Sequence, residues 1–113
     1  MPEFNFKGKK YNNSVELSYD IIGGKWKIPI IWRLKDDAKR YSELRRSLSK
    51  VTHKMLTQQL RELEEAEIIT RKVYPEVPPK VEYSLTLLGR SVIPVIDILR
   101  EWGEEYRSVF PKD

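Results

Sequence analysis

The spacing of apolar residues between positions 49 and 85 is first helical and then strand-like. At 100° per residue, one helix face is apolar and carries Leu56, Leu60 and Leu63. The opposite face is polar and carries Lys54, Thr57, Gln58 and Arg61. This pattern predicts an amphipathic helix over about residues 53–66. Thr52 is placed to cap it, because its hydroxyl can accept a hydrogen bond from an unpaired backbone N–H.

After residue 66 the period changes to two. Apolar and polar residues alternate over positions 69–74 and again over 80–85, which predicts two antiparallel strands. Pro75, Pro78 and Pro79 lie between them and cannot donate backbone hydrogen bonds, so this stretch is predicted to form the hairpin tip. Basic residues flank the tip. A basic hairpin directly after a polar-faced helix is typical of a wing, here at about residues 69–85.

Two helices are predicted near the start of the chain. Ser14 can cap a helix that runs to residue 22, where Gly23 and Gly24 end it. A core helix follows over about residues 25–34, with apolar side chains on most sides. Pro29 lies near its first turn and is expected to cost one backbone bond or to bend the helix slightly.

The next segment predicts a helix–turn–helix. Arg40 and Tyr41 are expected to add a short third strand. Ser42 can cap a helix that runs to residue 48, and the connection 49–51 then leads to the helix at residue 53. A helix, a three-residue turn and a second helix is the arrangement in which the second helix enters the major groove of DNA.

The last predicted element is a long helix over about residues 87–107, capped by Thr86 and kinked at Pro94. Its apolar stripe is wider than one packing face requires, which favours burial against a second copy of the chain. The alternative is packing against the first helix of the same chain. The residues expected at a dimer interface are Val15, Tyr19, Val92, Ile96, Leu99, Trp102 and Tyr106.

Length and composition favour one folded domain. The chain has 113 residues, of which 1–13 are expected to form a flexible arm and 14–113 a single domain. It has no run of 18 apolar residues and no apolar core of a signal peptide near the N-terminus, so a cytoplasmic protein is expected. It also has no cysteine, which excludes disulfides and thiolate catalysis.

Charge is distributed unevenly along the chain. Seven basic residues and one acidic residue lie between positions 39 and 61, whereas positions 62–67 carry four glutamates. This division suggests that one end of the helix over residues 53–66 meets an anion while the glutamates are held away from it. Charge alternation on an exposed helix could produce the same division by chance.

These patterns give three groups of candidate DNA contacts. The helix candidates for base edges and nearby phosphates are Thr52, His53, Lys54, Thr57, Gln58 and Arg61. The candidates for the phosphate backbone on the preceding helix and turn are Arg45, Arg46 and Lys50. The wing candidates are Arg71, Lys72 and Lys80. The alternatives are an ordinary solvated helix face and a winged helix that binds protein or RNA.

Nothing in the sequence favours an enzyme, and no cofactor is expected. His53 is the only histidine, and no glycine-rich phosphate loop or paired-carboxylate motif accompanies it. One histidine without cysteine also cannot supply a soft-ligand metal site. An unknown small-molecule effector could bind between the terminal helices and the core, where Trp26, Trp32 and Trp102 would line a cavity. The alternative is that these tryptophans are packed core.

Over about residues 15–105 the sequence resembles the HxlR-type winged helix–turn–helix transcription regulators, a branch near the MarR-like proteins. The segments that carry the resemblance are VELSYDIIGGKW, RYSELRRSL, LTQQLRELEEAEIITRKVYPEVPPKVEYSLTLLGR and EWGEE. The resemblance implies a mixed, mainly α-helical α+β fold, a winged helix–turn–helix with N- and C-terminal dimerisation helices. It also implies a homodimeric prokaryotic regulator that binds operator DNA as repressor or activator.

The sequence departs from the pattern of this family at two places. Many members carry a cysteine where this chain has Asn13, and some of them sense electrophiles or oxidants through it. Pro29 stands where an aliphatic residue is usual. The expected function is therefore a sequence-specific, homodimeric DNA-binding regulator of a pseudo-palindromic operator, with cysteine-based redox sensing excluded.

Overall fold

A computed structural model describes residues 1–110 of the chain. Over these residues the chain forms a mixed α+β fold that is mainly helical, as predicted. Its elements, in chain order, are β1 (Phe4–Phe6), β2 (Lys9–Tyr11), α1 (Ser14–Ile22), α2 (Lys27–Arg33), β3 (Lys39–Arg40), α3 (Tyr41–Ser47), α4 (His53–Glu65), β4 (Ile69–Tyr74), β5 (Lys80–Leu85), α5 (Leu87–Arg90) and α6 (Ile93–Ser108). No helix in this part of the chain has both the length and the apolar character needed to cross a bilayer.

The core is built around α2 and the apolar face of α4. Ile30 and Ile31 of α2 are fully buried, and the predicted apolar face of α4 is buried at Leu56, Leu60 and Leu63. Residues from α3, the base of the wing and α6 complete this core. Burial of apolar surface stabilises a fold by about 25 cal/mol per Å², and this holds α4 against the core. The opposite face of α4 is therefore presented rigidly.

The helix–turn–helix forms from α3 and α4 as predicted, with a shift of two residues at the start of α3. The hydroxyl of Thr52 accepts a hydrogen bond from the backbone N–H of Met55 at 3.1 Å, which confirms it as the N-cap of α4. The first helix begins at Tyr41 rather than after Ser42. The side chain of Glu43 accepts a hydrogen bond from the backbone N–H of Arg40 at 2.8 Å. This bond stabilises the N-terminus of α3, with Arg40 as the N-cap residue.

The wing strands β4 and β5 belong to a three-stranded antiparallel sheet with the strand order β3-β5-β4. In the β4–β5 ladder Arg71 lies opposite Tyr83 and Lys72 opposite Glu82. The predicted third strand is present but covers Lys39–Arg40 rather than residues 40–41. The proline-rich tip joins β4 to β5 outside the ladder, as expected.

The N-terminal segment differs from the flexible arm that was expected. The strands β1 and β2 form a hairpin whose loop residues, Lys7 and Gly8, both have positive φ, at 50° and 79°. That geometry suits a two-residue turn between twisted strands. The hairpin is held down by Tyr11, which is buried and stacks on Phe4. Six residues are too few for a clear strand period, so the pattern alone did not indicate it.

The first two helices also begin at other residues than predicted. Asn13, and not Ser14, caps α1, and its side-chain oxygen accepts from the N–H of Glu16 at 3.0 Å. The core helix α2 begins at Lys27 because the preceding turn includes Gly24, whose φ is +95°. Pro29 is consequently the third residue of α2, where a backbone N–H has no partner within the helix, and it costs no hydrogen bond there.

The C-terminal helix is broken and not only kinked. Thr86 caps α5 as predicted, and its hydroxyl accepts from the N–H of Gly89 at 2.9 Å. The helix then ends at Arg90, and α6 starts at Ile93 with Pro94 as its second residue. Proline lacks the N–H that would bond to the carbonyl of Arg90, so the chain restarts a helix where proline is tolerated.

Candidate nucleic-acid interface

The polar face of α4 forms one continuous exposed surface. Thr52 lies at its N-terminal edge, and its hydroxyl is already engaged as the cap. The other five helix candidates lie side by side on this surface, and all but the half-buried Thr57 are exposed. They are His53, Lys54, Thr57, Gln58 and Arg61.

The expected separation of the basic and acidic residues of α4 is wrong. Glu62 and Glu65 line the same surface as Gln58 and Arg61. The reason is helical geometry: position 62 lies four residues after 58, and position 65 four residues after 61, so each pair shares a face. The glutamates are therefore part of this surface and have to be included in its electrostatics.

Glu62 is bonded to a core residue, Lys27, that no local sequence pattern indicated as part of the site. The Nζ atom of Lys27, a buried residue of α2, donates to Oε1 of Glu62 at 2.7 Å. The Nε2 atom of Gln58 donates to Oε2 of the same carboxylate at 3.1 Å. The bond from Lys27 is the main cause that lowers the pKa of Glu62 below its ordinary value of 4.5, although partial burial opposes it.

The start of α4 is fixed to α3 by an aromatic pair. The hydroxyl of Tyr41 is hydrogen-bonded to Nδ1 of His53, and the two rings meet edge to face with centroids 5.3 Å apart. The same hydroxyl donates to the backbone carbonyl oxygen of His53 at 3.4 Å. Tyr41 is a second residue that sequence reasoning did not select. Its contact orients His53 at the edge of the exposed surface.

The three backbone candidates on α3 and the following turn are exposed. Arg45 and Arg46 lie in the last turn of α3, and Lys50 lies in the connection to α4. Within residues 1–110 none of the three forms a salt bridge, so their charges remain available.

The three wing candidates are divided between the two faces of the hairpin. Arg71 lines a cleft of about 280 Å³ between the wing and α4, and its Nε lies 3.9 Å from Oε1 of Glu64. Lys72 and Lys80 lie on the other face, each with Nζ 4.8 Å from the ring centroid of Tyr74. Successive residues of a strand point to opposite faces, so Arg71 and Lys72 cannot act as one patch.

The residues expected at a dimer interface are also of two kinds. Ile96 is buried, and Val92 packs against the core, so both contribute to the fold of their own chain. The other five are exposed by half or more, namely Val15, Tyr19, Leu99, Trp102 and Tyr106. On α6 the rings of Trp102 and Tyr106 stack with centroids 5.5 Å apart. Within residues 1–110 the ring of Phe110 lies 4.9 Å from that of Tyr106, and both rings of the stack nevertheless remain more than half exposed.

Within residues 1–110 the three tryptophans lie apart and do not line the common cavity that was expected. Trp26 and Trp32 are partly buried against the core, whereas Trp102 lies on the exposed face of α6. The indole N–H of Trp26 is buried and has no hydrogen-bond partner among the residues that the structure describes. A separate apolar groove of about 240 Å³ lies between α1 and the start of α6, and it contains none of the tryptophans.

Comparison with known proteins agrees with this architecture. Residues 21–110 match the HxlR-like helix-turn-helix family. An uncharacterized HTH-type transcriptional regulator of Methanothermobacter thermautotrophicus (strain Delta H) is 54% identical over 99 residues, which cover 88% of this chain and 76% of the relative.

Solved structures of similar sequence have the same fold. The crystal structure of the HTH-type regulator ytcD superposes with a TM-score of 0.81 at 49% identity and covers 85% of this chain and 98% of its own. The reduced form of the redox regulator HypR superposes with a TM-score of 0.82, also at 49% identity, over 86% of this chain and 96% of its own. A protein of the MarR family from Porphyromonas gingivalis has a TM-score of 0.76, at 44% identity and over 80% of this chain and 89% of its own.

These neighbours correct the function expected from the sequence. HypR is solved in an oxidized and a reduced form, and the regulator YodB of Bacillus subtilis also has a reduced form, so the similar proteins include redox regulators. The predicted function was an operator-binding homodimer with redox sensing excluded. This prediction is wrong as stated, because similar proteins include redox regulators. The comparisons support membership of a transcriptional regulator family. Because this chain has no cysteine, redox sensing by it is not supported.

Proposed function

The chain belongs to the HxlR-like helix-turn-helix family, a family of transcriptional regulators and not of enzymes, and from this we propose that it binds double-stranded DNA through α4. The proposal rests on one observation above all. The apolar face of α4 is fully buried while its polar face, with Lys54, Gln58 and Arg61, is exposed as one surface. A rigid helix that presents such side chains can enter the major groove and bond to base edges.

The surrounding cations support a phosphate contact on both sides of α4. Arg45, Arg46 and Lys50 precede the helix and are assigned to the DNA backbone. In the wing, we assign Lys72 and Lys80 to the backbone. Arg71 faces α4 and is assigned to a phosphate at the edge of the cleft between the helix and the wing.

We further propose that two copies of the chain associate through the exposed apolar side chains of α1 and α6. Leu99, Trp102 and Tyr106 form the centre of this surface, and Val15 and Tyr19 of α1 are assigned to its edge. Large exposed aromatic side chains of this kind are enriched in protein interfaces.

Each copy is one winged helix–turn–helix domain, and a regulator that binds chromosomal DNA in a prokaryote acts in the cytoplasm.

Measuring the affinity for duplex DNA as a function of salt tests the proposal. The full-length protein is titrated into labelled duplexes selected from a randomised pool, at several salt concentrations. Each contacted phosphate releases counterions, so log K is expected to fall with log salt by about 0.9 per phosphate. Absence of binding to any duplex, or affinity that does not change with salt, would show that the proposal is wrong.

A further inference from the structure

Gln58 does not have a freely rotating amide in this structure. Its Nε2 donates to Oε2 of Glu62 at 3.1 Å, one helical turn further along α4. Glu62 is in turn held by Nζ of Lys27 at 2.7 Å, and Lys27 comes from the core helix α2, 35 residues earlier in the chain. The side chain of Lys27 is only 11% exposed, so its position is set by packing, whereas that of Glu62 is 39% exposed.

This arrangement determines which end of the Gln58 amide is available. An ionised carboxylate offers only hydrogen-bond acceptors, so the NH₂ group of the amide has to face Glu62 and the carbonyl oxygen has to face away. The NH₂ group has two hydrogens, and Glu62 accepts one of them. Gln58 is therefore left with one free acceptor, Oε1, and one free N–H.

We infer that Lys27 and Glu62 are positioning residues that fix the amide of Gln58, so that Gln58 selects a base with an exocyclic amino group in the major groove. This inference rests on the proposed DNA binding by α4. Adenine and cytosine present such an amino group, whereas guanine and thymine present acceptor oxygens at the same edge. The carbonyl oxygen of Gln58 accepts from the amino group and would be repelled by those oxygens.

The remaining N–H of Gln58 separates adenine from cytosine. Adenine offers N7 as an acceptor beside its amino group, so it can use both free groups of the amide, whereas cytosine uses only one. The expected order at the contacted base is adenine, then cytosine, then guanine and thymine. A well-formed contact of this kind changes affinity by about tenfold between right and wrong bases.

The test compares base preference in matched variants of the full-length protein. Duplexes that bind the wild type are first selected from a randomised pool, and each base pair of the best duplex is then varied in turn. Gln58→Ala identifies the base pair that Gln58 contacts, because the preference there is lost. Glu62→Gln and Lys27→Met then remove the fixed carboxylate and its anchor. Glu65→Gln removes the same charge from the same face of α4 without touching Gln58.

The expected result separates orientation from charge. Glu62→Gln and Glu65→Gln should both strengthen binding to all duplexes to a similar extent, because each removes one negative charge facing DNA. Of these two variants, Glu62→Gln alone should reduce the preference at the Gln58 base pair from about tenfold to less than about twofold. Lys27→Met should reduce it as well. Thermal unfolding of each variant shows whether the fold is retained, and Glu62→Gln provides the test if Lys27→Met does not fold.

Three results would overturn the inference. The preference could be unchanged in Glu62→Gln, it could fall equally in Glu65→Gln, or Gln58→Ala could leave every base preference as it was. In each case the protein still binds duplex DNA and the proposed function stands. Absence of duplex binding by the wild type would instead overturn the proposed function and this inference together.

Discussion

The hydroxyl of Tyr11 donates a hydrogen bond to Oδ2 of Asp20 at 3.0 Å and so joins the N-terminal hairpin to α1. The same carboxylate oxygen accepts from Nζ of Lys9 at 2.6 Å. The bond from Lys9 and then that from Tyr11 lower the pKa of Asp20 below its ordinary value of 3.8. Asp20 thus attaches β2, and through β2 the hairpin, to the helical domain.

The first prediction is that acid releases the hairpin. Because the folded-state pKa of Asp20 is lowered, its bonds stabilise the docked hairpin fully above about pH 3.8, and this stabilisation is lost as the pH falls through the folded-state pKa. Hydrogen exchange at the amides of β1 and β2 measures the release. In Asp20→Asn the exchange should be faster at neutral pH and should lose its acid dependence, after correction for the intrinsic exchange rate.

Glu105→Gln is the control for this experiment, since it removes an exposed carboxylate of α6 that is remote in sequence from the hairpin. It should leave the exchange of β1 and β2 unchanged. Equal exchange rates in Asp20→Asn and the wild type across the pH range would show that Asp20 does not attach the hairpin.

The second prediction concerns the close approach of α5 to the start of β4. A Cβ atom added at Gly89 would lie 2.1 Å from the backbone carbonyl oxygen of Ile68, which also accepts the N–H of Thr86 at 3.0 Å. Backbone cannot move aside cheaply, so Gly89→Ala should destabilise the protein by about 1–3 kcal/mol. Gly103 lies beside Leu99, Trp102 and Tyr106 on the proposed dimer face of α6, and a Cβ there would meet no atom of residues 1–110 of its own chain within 4 Å.

Gly103→Ala should therefore stabilise the protein by about 0.5–1 kcal/mol, because alanine loses less backbone entropy in a helix. Urea unfolding of both variants, at a concentration at which sedimentation shows the chain to be monomeric, measures the difference. If the two substitutions shifted the midpoint in the same direction by the same amount, the contact with Ile68 would not be the reason for glycine at position 89.

Sequence reasoning succeeded where the cause of a structure lies within one helical turn or one strand. The buried face of α4 followed from the spacing of Leu56, Leu60 and Leu63, and the cap at Thr52 from its side-chain chemistry. Helix breaks and short strands were predicted less well from the sequence. The proline at 94 indicated a disturbed helix, but whether it bends or ends the helix depends on what the segments on either side pack against.

The candidate site was predicted only in part, because much of it depends on contacts between distant residues. Lys27 and Glu62 are 35 positions apart, and no local pattern joins them. The pair of Gln58 and Glu62 could have been found from its spacing of four on a helix. The division of the wing cations between two faces follows from the strand alternation, yet which face meets α4 depends on how the sheet packs.

The third prediction rests on the division of the wing cations between the two faces of the hairpin. Lys72 is exposed on the face of the wing that points away from the cleft to α4. Lys72→Ala should weaken binding to selected and random duplexes to a similar extent and reduce the slope of log K against log salt by about one. Fluorescence titration at several salt concentrations measures both quantities.

Lys10→Ala is the matched control, because it removes the same charge from the N-terminal hairpin, which belongs to a different sheet. It should leave the slope unchanged. A change of base preference in Lys72→Ala, or an unchanged slope, would exclude a phosphate contact by Lys72.

The fourth prediction is that the exposed aromatic side chains of α6 hold two copies of the chain together. Trp102 is 63% exposed and stacks on Tyr106, whose ring lies 4.9 Å from that of Phe110. A tryptophan at the centre of an interface typically contributes 2 kcal/mol or more, so Trp102→Ala should raise the dissociation constant of the dimer about 30-fold or more. Sedimentation velocity over a range of concentrations measures this constant. Val77→Ala, at the fully exposed wing tip, should sediment like the wild type. A wild-type protein that sediments as a 13.4 kDa monomer throughout would show that this face of α6 does not form a dimer.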